Sequence, residues 1–397
     1  MAILLAVVPS SFRKSFACWG IFFFVLLAII MPSNPSSASP ADAHRTKYFV
    51  YVGVYGKGVH AFRFDAETGA LDPIGLVGEV TNPSWITADR NFEHLYSVSE
   101  LEGTAEGGVA SFAIDRKTGK LNSLNQVKSG GVAPCFAAVD ATDKMLVIAN
   151  YMTGGVSSFP INQDGSLGQM GSLMKAEGSS VNKDRQEGPH AHEAVIMDDN
   201  GRVFVPDLGL DKIRIYRLDP VSGKLTPNDP PFVKGEPGLG PRHIIFDRKG
   251  EYAYLINELK TVVSVYSHDP TTGNLNLIET VPTLPPGSKK DTTGAEVRLA
   301  PSGKFLYTSN RGDDSIQVFT IDSAHGTLHK VQSISTEGKG PRGFALDPAG
   351  RFLIAGNQQS NSLLVFSVDP ETGMLKPTGT KLEVTSPVDV LFVPVAQ

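Results

Sequence analysis

The stretch Phe62–Ile74 reads FRFDAETGALDPI, and it returns six more times along the chain. The other copies are SFAIDRKTGKLNSL from Ser111, SFPINQDGSLGQM from Ser158, IYRLDPVSGKLTPN from Ile215, VYSHDPTTGNLNLI from Val265, VFTIDSAHGTLHKV from Val318 and VFSVDPETGMLKPT from Val365. Each has an apolar or aromatic run, a polar turn, a glycine, one residue and a leucine. The closing leucines are Leu71, Leu121, Leu167, Leu225, Leu275, Leu328 and Leu375. Their mean spacing of about 50 residues falls in the range of stacked repeat architectures. One such unit cannot bury its own apolar face and must lean on its neighbours.

Between these copies lies a second recurring unit, as in GPRHIIFDRKGEYAYLINEL from Gly240, GAEVRLAPSGKFLYTSNRG from Gly294 and GPRGFALDPAGRFLIAGNQ from Gly340. Its apolar runs are short, rich in Val, Ile, Phe and Tyr, and bounded by Gly, Pro, Asp or Asn, which is strand and turn chemistry. Each repeat therefore supplies four antiparallel strands, a to d from the inside out. Seven of them predict an all-β, seven-bladed propeller. The run from Lys47 has the character of a strand b, and the last run, from Ser386, that of a strand a. The two ends are expected to complete one blade together, closing the ring and removing two sheet edges.

The chain has 397 residues, 41% of them hydrophobic and 19% charged, with a net charge of −5. This is ordinary globular composition, and the charge gives no reason to expect a nucleic-acid partner. The first 43 residues differ in kind. Arg13 and Lys14 precede an apolar run from Phe16 to Met31, followed by a Pro/Ser/Ala stretch with Ala41-Asp42-Ala43 and Ser36-Ser37-Ala38 as cleavage candidates. That is the pattern of an export signal, so residues 1–43 are expected to be signal and linker and 44–397 the propeller. Contact with a membrane is expected only if the segment is retained. Only Cys18 and Cys135 are present, so a processed chain has no internal disulfide. A monomer is expected.

In a propeller the start of every strand a and the end of every strand b share one mouth of the central channel. The strand a starts carry His190 and His192, Arg242 and His243, Glu296 and Arg298, and Arg342. The strand b ends carry Asp207, Glu258, Asn310 and Arg311. Several Arg beside one or two Glu suit an anionic ligand. Asp247, Asp347 and the Asp of the repeated phrase read as turn caps; the Asn column (Asn150, Asn257, Asn310, Asn357), with Asp207, reads equally as turn chemistry or as ligand contact. The histidine pair lacks a third ligand free of nearby arginine, so no metal site is expected. His60, His94, His268, His325 and His329 read as surface residues. No nucleophile elbow, zinc-helix, Walker or dinucleotide motif is present.

The segments GPHAHEAV from Gly188, GPRHIIFD from Gly240, AEVRLAPSGKFLYTSNRG from Ala295 and GKGPRGFALDPAGRFLIAGNQ from Gly338 resemble those of the seven-bladed propeller lactonases. That family includes propeller-type 6-phosphogluconolactonases and carboxy-cis,cis-muconate cyclases. The resemblance spans Lys47 to the end. It implies opening or closing of a lactone ring, with no cofactor. It also implies catalytic roles for His190 or His192, Arg242, Glu258 and a further arginine, best matched by Arg298, with Arg311 and Arg342 beside it. Here the histidine segment reads Pro-His-Ala-His, where many members carry Pro-His-Pro-His. The expected activity is hydrolysis of an anionic sugar-acid lactone. Glu258 or a histidine moves the proton, and arginines hold the anion. His192, Asp207, His243, Glu296, Asn310, Arg311 and Arg342 are the expected substrate contacts. The alternatives are a non-catalytic exported propeller that binds a sugar acid or an envelope partner, a muconate-type cyclase, and a quinone-dependent dehydrogenase. No obvious ligand set supports the last.

Overall fold

The computed structural model describes residues 47–396, apart from 102, 104, 198–200 and 286–290. The proposed signal and cleavage sites lie outside the described residues. Seven four-stranded antiparallel sheets are formed, and six of them run in sequence order from inner to outer strand. Blades 1 to 6 occupy residues 86–132, 134–174, 195–234, 241–282, 293–335 and 341–383. Blade 7 is composite: the C-terminal strand Pro387–Pro394 pairs with Lys47–Val54, which continues into Lys57–Asp65 and Ala70–Thr81. The expected ring closure by the two chain ends is what the structure has.

The repeated phrase forms the turn between the two outer strands and the start of the outermost one. Asp65 Oδ1 accepts the Glu67 N–H at 2.8 Å, and the Gly69 N–H returns to the Asp65 carbonyl at 2.8 Å. Asp369 caps its turn the same way. Asp247 and Asp347 cap the turn between strands a and b, accepting two and three backbone N–H bonds respectively. All seven closing leucines are buried, with at most 9% exposure.

The phrase glycines explain why neighbouring blades fit. All seven adopt a left-handed φ, between 69° and 81°, a region that costs other residues strain. Each also faces a residue at or beside the start of strand b of the preceding blade. A Cβ on Gly69 would come within 2.5 Å of the Phe352 ring, and one on Gly373 within 2.5 Å of Phe305. Gly119 meets Phe49, Gly326 meets Tyr252, Gly273 meets Arg202, Gly223 meets Met145, and Gly165 meets His94. The chain of contacts therefore passes once around the ring. It also corrects the reading of His94 as a surface residue: His94 takes the place of an aromatic in this series and bonds Asp89 at 2.8 Å. His268 is buried as well, with Nδ1–H donating to the Gly250 carbonyl at 2.7 Å and its ring edge-on to Phe204 and Phe246. Apolar layers fill the space between blades, as where Phe204 and Ile215 of blade 3 meet Ile244, Leu255 and Leu275 of blade 4.

Leu275→Ala should lower stability by about 2–5 kcal/mol, and Gly69→Ala, which combines a forbidden φ with a ring contact, by more than ~1 kcal/mol. Denaturant titration of the described propeller checks both.

Candidate active site

The pairing of strands a and b stacks inward-facing residues in three tiers at one mouth. Pro241 pairs with Asn257, Pro341 with Asn357, Pro134 with Asn150, Gly294 with Asn310 and Ala191 with Asp207. In blades 7 and 1 the backbone bonds Tyr55 N–H to Ser386 and Glu100 N–H to Asn82 fix the same register. The residue that follows the paired strand b position in each blade forms the outer tier: Tyr55, Glu100, Tyr151, Leu208, Glu258, Arg311 and Gln358. The residue that follows the paired strand a position in each blade forms the middle tier: Ser84, Cys135, His192, Arg242, Ala295, Arg342 and Val388. The next residue forms the inner tier: Trp85, Phe136, Glu193, His243, Glu296, Gly343 and Asp389.

Glu258 is the hub of the upper two tiers. Arg185 lies 2.6 Å from its Oε1; Arg311 and Arg242 lie 3.0 and 3.1 Å from Oε2, and His192 Nε2 lies 4.0 Å from the same oxygen. Burial opposes ionisation of this carboxyl, but the guanidinia of Arg311, Arg242 and Arg185 outweigh it and hold Glu258 well below the usual carboxylate range. One carboxylate faces three guanidinia, and the surplus shows in the arginines. Burial and the Arg342 charge lower Arg242. Arg311 is pushed down to about 10 by burial, against the pull of Glu258. Arg342 donates to the Tyr55 hydroxyl at 3.0 Å and lies over its ring.

The two histidines share Tyr151. His190 stacks on its ring at 4.6 Å and His192 meets it edge-on at 5.4 Å. They face different partners. His190 Nδ1–H donates to the Tyr151 carbonyl at 3.0 Å, and Nε2 lies 3.1 Å from Glu187. His192 is directed at Glu258 and Cys135, and burial together with the Arg242 charge holds it well below an ordinary histidine, so its ring is neutral near pH 7. Burial pushes the Cys135 thiol up, so it stays protonated.

The inner tier seals the channel beneath. Trp85 stacks on Phe136 at 4.0 Å, and His243 meets both edge-on. Between this seal and the middle tier is a void of about 10 Å³, enough for one water. Below it, toward the opposite mouth, opens a cavity of about 390 Å³ with walls of Ile86, Ala137, Ile196, Ile244 and Phe392. Arg298 belongs to that lower chamber. It lies 3.5 Å from Glu296 and over Trp85 at 5.3 Å, away from the Glu258 cluster in which the sequence pattern places it. The reason is register: Ala295, not Arg298, occupies the level of Arg242 in blade 5. Glu296 and His243 bond each other at 3.1 Å below the cluster. Asp207 and Asn310 also stand apart. Asp207 Oδ1 accepts the N–H groups of His190, Gly209 and Leu210 while Oδ2 pairs with Arg214 at 3.1 Å. Asn310 Oδ1 accepts from the Thr283 hydroxyl. Strand alternation turns this column into the blades, and Asn257 and Asn357 bond inward to Ser264 and Thr336 in the same manner. Among the described residues no group of three His, Cys, Asp or Glu is gathered as a metal-ligand set.

Arg185 is a member of the cluster that repeat counting does not reach. It sits in the irregular connection 175–194 between blades 2 and 3, on a turn built by Asn182, whose side chain accepts the N–H of Asp184 and Arg185. The signal in the sequence is the length of that connection, about 20 residues where 2–6 are common.

Buried Asp389 accepts the Ile86 and Val390 N–H groups at 2.9 Å each, and burial raises its pKa from 3.8 to about 7. A folded-state pKa above the unfolded one means that its contribution to stability is lost as pH rises toward 7. Relative to the wild type, Asp389→Asn should therefore gain in melting temperature as pH goes from 4 to 7 and change no further above pH 8.

The described architecture is thus a propeller whose ionisable groups gather at one mouth. Comparison with known proteins gives the same class. The family model described as "Lactonase, 7-bladed beta-propeller" matches residues 49–392. A 6-phosphogluconolactonase of Bacillus subtilis is 37% identical over 87% of this chain and 99% of its own length. One from Formosa agariphila is 34% identical over 74% of this chain and 83% of its own. The structure of PpgL, described as a periplasmic gluconolactonase of Pseudomonas aeruginosa, superimposes with a TM-score of 0.84 at 34% identity, covering 88% of this chain and all of that one. The chain belongs to the seven-bladed β-propeller lactonase family.

Proposed function

We propose that the protein hydrolyses the lactone of an anionic sugar acid at the Glu258 mouth. The observation that carries this reading is a buried carboxylate clasped by three guanidinia beside a neutral imidazole. Uncompensated positive charge is costly to bury, and an anionic substrate relieves it. The relatives named 6-phosphogluconolactonase and gluconolactonase support the same reaction.

His192 is the better proton acceptor of the candidates. Glu258, held ionised by its arginines, is a weak base, whereas His192 is neutral and points toward it. Substrate binding raises its basicity, because the entering anion offsets part of the guanidinium charge that keeps the ring neutral. A water oxygen then attacks the lactone carbonyl carbon while His192 takes the water proton and Glu258 steadies the imidazolium. N–H groups of Arg242 and Arg311 stabilise the oxyanion, an effect of about 3–4 kcal/mol per donor in comparable sites. The tetrahedral intermediate collapses, the carbon–ring-oxygen bond breaks, and the imidazolium returns its proton to the ring oxygen. A carboxylic acid and a hydroxyl are formed, the acid then loses its proton to solvent, and the sequence of steps requires no metal. His190 positions Tyr151, Asp207 and Asn310 brace their blades, and Arg298 acts only through Glu296 and His243.

Arg242→Ala should reduce lactone turnover at least ~10-fold, and His192→Gln roughly 100-fold or more, in a continuous acid-release assay on gluconolactone and its 6-phosphate. Unchanged turnover in both variants would overturn the assignment. The acid limb of kcat/KM should lie below the ordinary histidine value of about 6.5, because His192 resists protonation in the free enzyme. We read residues 1–43 as a cleaved export signal, in keeping with the periplasmic description of the Pseudomonas relative. Intact-mass measurement of the mature protein should find a start near residue 39 or 44.

A further inference from the structure

We infer that Arg185 is the residue through which this site selects lactones bearing an anionic group, a phosphate ester or a carboxylate, at the end remote from the reacting carbonyl. The inference rests on the lactonase reading and goes beyond it in naming the selector.

The three guanidinia on Glu258 are not equivalent. The side chains of Arg242 and Arg311 are 3% and 16% exposed, whereas that of Arg185 is 40% exposed. Arg242 is further tied to the Ala295 carbonyl and Arg311 to the Gly294 carbonyl. Neither can move without giving up its bond to a backbone carbonyl in a buried site, and such a loss is expensive. Arg185 is held by side chains instead: its guanidinium bonds Glu258 and, at 3.3 Å, the Tyr151 hydroxyl. It can exchange a carboxylate oxygen of Glu258 for an incoming anion while Arg242 and Arg311 keep Glu258 ionised.

The backbone beneath Arg185 is held firmly enough for that exchange to be selective. The Gln186 N–H donates to the Asn182 carbonyl at 2.8 Å, the Asn182 N–H donates to Gln186 Oε1 at 3.1 Å, and Gln186 Nε2 donates to the Leu208 carbonyl at 2.8 Å. The Ser180 hydroxyl donates to Asp211 at 2.5 Å. A half-exposed guanidinium held only by side chains, on a fixed backbone, gives bidentate recognition at low ordering cost. The geometry also sets a direction. The reacting carbonyl belongs beside His192 and the buried arginines, so a guanidinium on the solvent side meets the far end of the substrate.

The test compares three matched sugar acids by calorimetry on the intact protein: gluconate, 6-phosphogluconate and glucarate, which differ only in the group at the remote carbon. The wild type should bind 6-phosphogluconate or glucarate more tightly than gluconate, and whichever is preferred identifies the group as phosphate or carboxylate. Arg185→Ala should shrink that preference at least ~10-fold, and Arg185→Lys, which keeps the charge but not the fork, should retain part of it. Equal weakening of all three acids by Arg185→Ala would overturn the inference, as would a wild type that shows no preference. Melting curves of both variants control for folding. Hydrolysis of gluconolactone by the wild type is scored separately: its absence would defeat the lactonase reading, while the binding comparison would still decide the role of Arg185.

Discussion

The register between strands a and b is the constraint on which everything else depends. Once Pro241 faces Asn257, Arg242 must lie one level below Glu258, and the same pairing repeated round the ring puts Arg311, His192 and Arg342 at the levels where they meet. No single blade contains the site. Glu258 and Arg242 come from blade 4, Arg311 from blade 5, His192 from the entry to blade 3 and Arg185 from the connection before it. The ring holds that register because each phrase glycine rests against the strand b start of the blade before it. A side chain at Gly69, Gly326 or Gly373, where a Cβ would come within 2.5 Å of an aromatic ring, would push one blade away from its neighbour and, through the closed ring, disturb the mouth.

The electrostatics follow from this convergence. A guanidinium cannot shed its proton in practice, so crowding several into a low-dielectric mouth leaves two ways to reduce the repulsion: a buried counter-charge and a ligand. Glu258 supplies the first for three arginines and is too little for all of them. Neutrality of His192 is a further response to the same field. The site is therefore tuned by charge density more than by any one residue, and effects of substitutions among Arg185, Arg242, Arg311 and Glu258 should be non-additive.

The fold is legible because its signals are local. An Asp cap, a left-handed glycine and a buried leucine at fixed spacing can be read from Phe62–Ile74 alone, and the odd strands at the two ends disclose the shared blade. The site is legible only where blades are regular. Arg242, Glu258, Arg311 and Arg342 are found by counting from conspicuous Gly-Pro and Asn positions. Counting misplaces Arg298 because blade 5 starts with Gly-Ala-Glu-Val-Arg, and the bulge between Gly294 and Val297 hides which residue matches Arg242. Asn310 and Asp207 are ambiguous in sequence, since strand alternation decides whether an end-of-strand polar group faces the channel or its own blade. Arg185 escapes because its connection has no periodicity from which to count.

The stacked Trp85 and Phe136, closed off by His243, act as a floor and not a passage. A propeller with an open bore could admit reactant at one end and discharge product at the other. Here the two ends are separate rooms, so whatever enters above the floor must leave by the door it came in. On the proposed lactone hydrolysis, an acid held among the arginines would block the next molecule until it left.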